Sequence, residues 1–395
     1  MKTRPSYILP LIVISQFAGT SLWFAGNAIL PELQEFLALD KYAISRVTTA
    51  VQLGFIAGTL LFAVFSIADR FSPSKIFFFS ACMASITNLL IIWIRLDVNI
   101  LLVLRFFTGF FLAGIYPVGM KIASDWYEKG LGTALGYLVG ALVLGTAFPY
   151  LLKNRTFELE WKTVLYCSSF FAFLGGLLIF LSGDGPNRTR STGFRARDIF
   201  KIFRSKKFRS ASFGYFGHMW ELYTFWGFIP LILQLYSFRN SYAMNIPLLS
   251  FIIIGAGCIS CIAVGYWSKK IGSALTAFFS LGISGICCFL SSLMFSTPPG
   301  VFITFLMIWG LAVIADSPQF STLVTKTASI DLRGTALTLV TSIGFAITVV
   351  SLFIIDRIFH SDSFLGKYNT FIILGAGPLI GLFSMIPLLR SNPKI

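Results

Sequence analysis

The chain has 395 residues, of which 56% are hydrophobic and only 12% charged. A soluble domain carries about twice that share of charge, so the composition excludes a water-soluble globular protein and places most of the chain in lipid. The net charge of +15 reads as a topology signal rather than as a nucleic-acid footprint, because the basic residues gather between apolar runs.

Runs of about 20 apolar residues, each long enough to cross a ~30 Å hydrocarbon core, recur along the whole chain. They predict membrane helices over 7–31, 44–68, 75–95, 98–124, 130–152, 162–182, 211–236, 247–268, 273–296, 300–324, 334–356 and 368–389. The first follows Lys2 and Arg4 like a signal peptide, but it runs on to Pro31-Glu32 and is read as a retained helix. With the N-terminus cytoplasmic, 21 Lys and Arg fall on the cytoplasmic side and 9 opposite, with Arg105 left inside a span. That bias predicts both termini in the cytoplasm and an even number of crossings.

The longest connection, 183–210, holds nine basic residues against Asp184 and Asp198. It predicts a basic cytoplasmic linker between a bundle over 1–182 and a bundle over 211–395. Its segment Ala196–Phe208 reads equally as a solvated tether or as an interfacial helix on anionic lipid, with Ile199, Phe200, Ile202 and Phe203 on one face.

The two halves repeat at an offset of about 200 residues. Phe24 and Gly26 match Phe225 and Gly227, and Gly109 and Pro117 match Gly310 and Pro318. Gly132-Thr-Ala-Leu135 matches Gly334-Thr-Ala-Leu337, and the segment 65–72 matches 265–272. A constant offset over four pairs of corresponding helices is the mark of a duplicated membrane bundle.

The chain resembles the major facilitator superfamily. Asp69, Arg70 and Lys75 are similar to that family's G-x-x-x-D-R-x-G-x-[RK]-[RK] element, although Phe65 and Ser72 replace its glycines. Arg105 with Gly109 looks like its R-x-x-x-G element. The resemblance implies an all-α membrane protein of twelve transmembrane helices, with two pseudo-symmetric six-helix bundles working by alternating access. It also implies a central site lined by spans one, four, seven and ten. The fifth span lacks the Gly-Pro pair of many drug/proton antiporters and the glycine run of nitrate/nitrite porters, which counts against both subfamilies.

Charges deep in a span are costly unless paired or hydrated. Arg105 lies about seven residues, roughly 10 Å, from the outer end of its span. It reads as an anion ligand or a modulator of a nearby acid, or as a structural residue that snorkels or holds span one. His218 and Glu221 share a helix face. Glu221 reads as a carboxyl that takes up and releases a proton, with His218 as a relay; a structural pair between Arg105 and Glu221 is the plain alternative. Asp316, beside the backbone-loosening Pro318, reads as a second proton site or cation contact, or as the partner of Lys121 or Lys326. Gln16, Asn27, Tyr116, Trp220, Tyr223 and Gln319, together with Trp23 and Trp226, offer hydrogen bonds and ring faces to a substrate. Asp69, Arg70, Lys75 and Asp125 read as a cytoplasmic latch that loosens as the bundles rock.

Cys258 and Cys261 form a C-x-x-C without a second ligand pair, so packing explains them. No nucleophile–base pairing, metal ligand set or phosphate loop stands out, so an enzyme, a cofactor and a metal are not expected. The expected function is secondary transport of a small solute, with that solute, protons and the lipid bilayer as expected partners, in a monomer of the bacterial inner (plasma) membrane. A small organic anion coupled to protons is the first reading; efflux of drugs, metabolites or siderophore-like compounds is the second. A membrane sensor that never transports is the reading from another class.

Overall fold

Main-chain N–H and C=O groups in hydrocarbon have no water to bond, so a chain this apolar must satisfy them within helices. The computed structural model describes residues 5–127, 131–154, 160–188, 202–328, 333–361 and 366–391, and the described residues hold helices and no strand. The chain divides into two units, Met1–Phe194 and Arg195–Ile395, each with its own helix packing.

The first unit contains α1 (Ile8–Thr20), α2 (Ala25–Ala28), α3 (Leu30–Leu37), α4 (Ala43–Val64), α5 (Ile67–Arg70), α6 (Pro73–Trp93), α7 (Val98–Leu112), α8 (Tyr116–Trp126), α9 (Leu131–Leu152) and α10 (Trp161–Ser182). The second contains α11 (Lys206–Asn240), α12 (Ile246–Gly255), α13 (Gly257–Ile271), α14 (Ser273–Met294), α15 (Pro299–Ala315), α16 (Ser317–Thr327), α17 (Arg333–Phe359), α18 (Gly366–Asn369), a 3-10 turn over Thr370–Gly375 and α19 (Ala376–Ser391).

Among the described residues, ten helical stretches are long and apolar enough to cross a membrane. The predicted first and seventh spans stand outside that set for opposite reasons. The first is interrupted after Thr20, where Thr20 and Ser21 turn their hydroxyls onto the carbonyls of Gln16 and Ala18, a back-bonding habit that loosens helices. The seventh is unbroken as α11, 35 residues long, but its middle is polar and its start is basic. The helix begins at Lys206 rather than 211, because the Ser205 hydroxyl accepts the Phe208 N–H and caps it. Residues 196–201 of the expected amphipathic segment lie outside the described residues.

Spans four and ten break at corresponding places. Pro117 sits at the second position of α8 and Pro318 at the second position of α16, where a missing N–H costs nothing. Close packing repeats too. A side chain on Gly109 would overlap the Val51 carbonyl, and one on Gly310 would overlap the Ile253 carbonyl, so each unit seats its fourth span directly on its second. Gly54 does the same from the other side, against the Phe106 carbonyl. A Gly54→Val or Gly109→Val change is therefore expected to force α4 and α7 apart. Loss of monodisperse protein in detergent chromatography checks this, and a stable, monodisperse Gly109→Val protein would contradict it.

The missing glycine at position 72 has a local reason. Gly272 begins α14 at φ +91°, a conformation that favours glycine. Ser72 begins α6 in extended backbone, and its hydroxyl accepts the Lys75 N–H.

Candidate functional site

Each unit carries its own buried polar cluster. In the first unit, Arg105 on α7 is fully buried and turned toward the break after α1. Its Nη2 donates to the carbonyls of Trp23 (2.6 Å) and Leu22 (3.2 Å), and its Nη1 to Asn88 Oδ1 (3.3 Å). These carbonyls belong to the unwound turn between α1 and α2, which has no helical donor for them. Of the two readings of Arg105, the one that holds span one matches these contacts. Its Nε–H has no partner, and a Cβ on Gly26 would lie 2.9 Å from Nε, so only glycine leaves that edge uncovered.

Around it stand buried amides. Asn27 donates to Thr48 Oγ1 (2.7 Å), while its own Oδ1 is without a partner. Gln16 is fully buried with neither its amide oxygen nor its nitrogen bonded, and the same holds for Gln52 on α4. Gly119 on α8 makes the room Gln16 needs. Gln52 was not among the expected site residues; a lone glutamine in an apolar run gave the only hint. Tyr116 is half-buried at the start of α8.

In the second unit, Glu221 on α11 is buried and both of its carboxyl oxygens accept hydrogen bonds. Trp309 Nε1–H donates to Oε1 (2.5 Å) and the Ser284 hydroxyl to Oε2 (2.8 Å). Trp309 comes from α15 and also stacks on Phe225 at 4.3 Å; Ser284 comes from α14. The carboxylate thus joins three helices. One turn earlier on α11, His218 Nδ1 lies 2.8 Å from Asp316 Oδ1, and both side chains are buried. This is ion-pair distance, although the angle falls short of an aligned hydrogen bond. Within its own unit Asp316 therefore meets His218 rather than Lys326. It occupies the break between α15 and α16. The rings of Tyr215 and Phe320 flank His218 at 5.8 and 6.0 Å.

The other expected residues divide. Tyr223 is buried against Trp226 and Phe345, with ring centroids 5.3 and 5.1 Å apart, and Gln319 is buried on α16. Trp220 is turned away from Glu221, its indole N–H on the Ile373 carbonyl (3.2 Å) and its Cβ against Gly377.

The expected latch residues are not joined to one another by any ion pair among the described side chains. Arg70 and Lys75 are exposed and Asp125 is buried; the Asp69 side chain lies outside the described residues. The segment is instead held by Asp184, just beyond α10. Its Oδ1 accepts from the Ser72 hydroxyl, the Ser74 hydroxyl and the Ser74 N–H at 2.8–3.0 Å. Arg188 pairs with Asp184 Oδ2 (3.2 Å) and donates to the Phe71 carbonyl (2.7 Å), and the Asn187 N–H donates to the Asp125 carbonyl (3.1 Å). Burial alone would raise the Asp184 pKa, but the Ser74 and Ser72 donors and the Arg188 charge outweigh it and hold the carboxyl below its usual value. A depressed folded value means that the stabilisation is complete above the unfolded pKa and is lost as pH falls through the folded one. Asp184→Asn is expected to cost about 1–3 kcal/mol at neutral pH and to flatten the acid side of the thermal-stability profile. An unchanged profile would rule the clasp out.

Among the described residues, no cluster of His, Cys, Asp and Glu is suited to a metal ion. The family model described as Major Facilitator Superfamily matches residues 12–352. Over 182 residues the chain is 25% identical to the probable galactarate/D-glucarate transporter of Escherichia coli (strain K12), covering 43% of this chain. That match spans only 39% of the relative's length. The fold is shared with the human organic anion transporter MFSD10 (TETRAN), at TM-score 0.70 and 15% identity over 97% of this chain and 100% of that one. It is shared too with a bacterial homologue of the human lysosomal transporter Spinster, in an inward-facing and occupied conformation, at TM-score 0.73 and 14% identity over 100% and 98% of the two chains. With a family model matching most of its length, this multi-pass membrane chain belongs to the Major Facilitator Superfamily, a family of transporters and not of enzymes.

Proposed function

We propose that this protein is a proton-coupled carrier of a small organic anion, of the polyhydroxylated sugar-acid class, working by alternating access. The observation that carries the coupling is the gathering of three buried titratable groups in one unit: His218 and Glu221, one turn apart on α11, and Asp316, which faces His218 from the break between α15 and α16. Ser284 makes Glu221 able to hold or release a proton without disrupting its neighbours. Its hydroxyl donates to the carboxylate and also lies 3.3 Å from the Leu281 carbonyl. On protonation of Oε2 the hydroxyl turns to Leu281 and accepts from Glu221, while Trp309 continues to donate to Oε1. His218 and Asp316 form a second proton-holding pair in the same unit.

The substrate class rests on the first unit and on the relatives. Gln16 and Gln52 bury unbonded amides, and unmet donors and acceptors of this kind favour a ligand rich in hydroxyls. The open Nε–H of Arg105 supplies a charged donor for a carboxylate. One relative is named for sugar acids and one structural neighbour for organic anions. We further read α1–α3 and α11 as completing twelve spans, with both termini on the basic, cytoplasmic side of a bacterial inner membrane. Asp69, Arg70, Lys75 and Asp125 then lie at the cytoplasmic end, where Asp184 clasps the loop. The aromatic cluster of Tyr223, Trp226 and Phe345 favours a second reading, efflux of amphipathic compounds.

The test is a thermal-shift comparison on the purified protein at two pH values, with galactarate, the neutral galactitol and a cationic amphiphile. Stabilisation by galactarate alone, varying with pH, is expected. Equal responses to galactarate and galactitol would overturn the anion reading, and stabilisation by the amphiphile alone would favour efflux.

A further inference from the structure

We propose that an anionic phospholipid of the surrounding bilayer binds in a groove of the first unit, its phosphate on Arg70 and Lys75 and an acyl chain along Phe79, Phe110 and Phe111. The groove has a volume of about 620 Å³ and is walled by α4, α5, α6 and α7, with Arg188 at its rim. Among the described residues, three cations line it and no acidic residue does. Arg188 is balanced by Asp184. Arg70 and Lys75 are exposed, and no described side chain pairs with either of them.

The lining is ordered as an amphiphile is. Arg70, Ser72 and Lys75 cluster where α6 begins. One turn further along α6, about 6 Å by helix rise, Phe79 faces the Phe111 ring at 6.4 Å, and Phe110 and Ile76 continue the apolar wall. Phe71 and Phe79 are 62% and 61% exposed, as suits contact with acyl chains. A basic pocket between membrane helices with an apolar floor matches an anionic headgroup with its tails, and a soluble anion would leave that floor uncovered. The proposal is independent of the carrier's substrate and of which face of the membrane the groove lies on.

Native mass spectrometry of the full-length protein tests it, with added phosphatidylglycerol, phosphatidylcholine or glycerol 3-phosphate. Expected is one preferentially retained phosphatidylglycerol, with at least about tenfold weaker retention in Arg70→Gln/Lys75→Gln, equivalent to about 1.4 kcal/mol. The charge-conserving Arg70→Lys/Lys75→Arg protein should retain it, and Phe79→Asn should weaken it without changing charge. Equal retention of phosphatidylglycerol and phosphatidylcholine, undiminished retention in the glutamine variant, or equal binding of glycerol 3-phosphate would overturn the proposal.

Discussion

A Glu221→Gln carrier is expected to exchange substrate across the membrane but not to accumulate it. Glutamine keeps the volume of the side chain and nearly all its bonds. Its amide oxygen accepts from Trp309, and its amide nitrogen donates to Ser284, whose hydroxyl turns to the Leu281 carbonyl already 3.3 Å away. The substitution therefore costs no more than about 1 kcal/mol of stability, and the protein should purify like the parent. What it loses is the ability to take up a proton. One pH unit across the membrane is worth about 1.4 kcal/mol, or tenfold accumulation for each proton carried. The parent should approach that ratio per proton while the variant stays at unity, with exchange of internal for external substrate preserved. A variant that accumulates like the parent would remove Glu221 from the coupling and leave His218 and Asp316 to account for it.

Replacing Arg105 by lysine should be far more damaging than the retained charge implies. The guanidinium serves three acceptors at once, from two different nitrogens: Trp23 O, Leu22 O and Asn88 Oδ1. An ammonium is a single point on a narrower reach and cannot reproduce that fork. At least two buried acceptors lose their donor, each costing about 1–3 kcal/mol, so a destabilisation of roughly 2–6 kcal/mol is expected. The unwound turn between α1 and α2 should then lose its position, and flux should fall close to background. Thermal unfolding of the purified variant, set beside its flux in proteoliposomes, checks both effects. Parental stability with lost flux would instead assign Arg105 to the substrate alone, and parental behaviour in both would discard either role.

Much of the architecture was legible in the sequence because lipid imposes a coarse rule: apolar runs must become helices. The breaks in spans four and ten were readable from Pro117 and Pro318, since proline interrupts a hydrogen-bond ladder wherever it lies. The break in span one was not, because Thr20 to Phe24 contain no proline and the turn is stabilised from outside by Arg105. The deep charges were visible as anomalies, but their partners were not. Arg105 bonds main-chain carbonyls, which every residue possesses. Glu221 bonds Trp309, an aromatic residue in an apolar run, and Ser284, a common small residue of packed helices. Asp316 had Lys326 much nearer in sequence, yet the histidine 98 positions away faces it. Asp184 was overshadowed by nine basic neighbours, and its role emerges only once the turn at Ser72 and Ser74 is folded beside it.

The most direct measurement of the central claim is uptake of galactarate into proteoliposomes holding this protein alone, with and without an imposed pH gradient. The account predicts accumulation above the external concentration only while the gradient stands, collapse on adding a protonophore, and none in the Glu221→Gln protein. Uptake that only equilibrates, at the same rate and extent with and without the gradient, would contradict it.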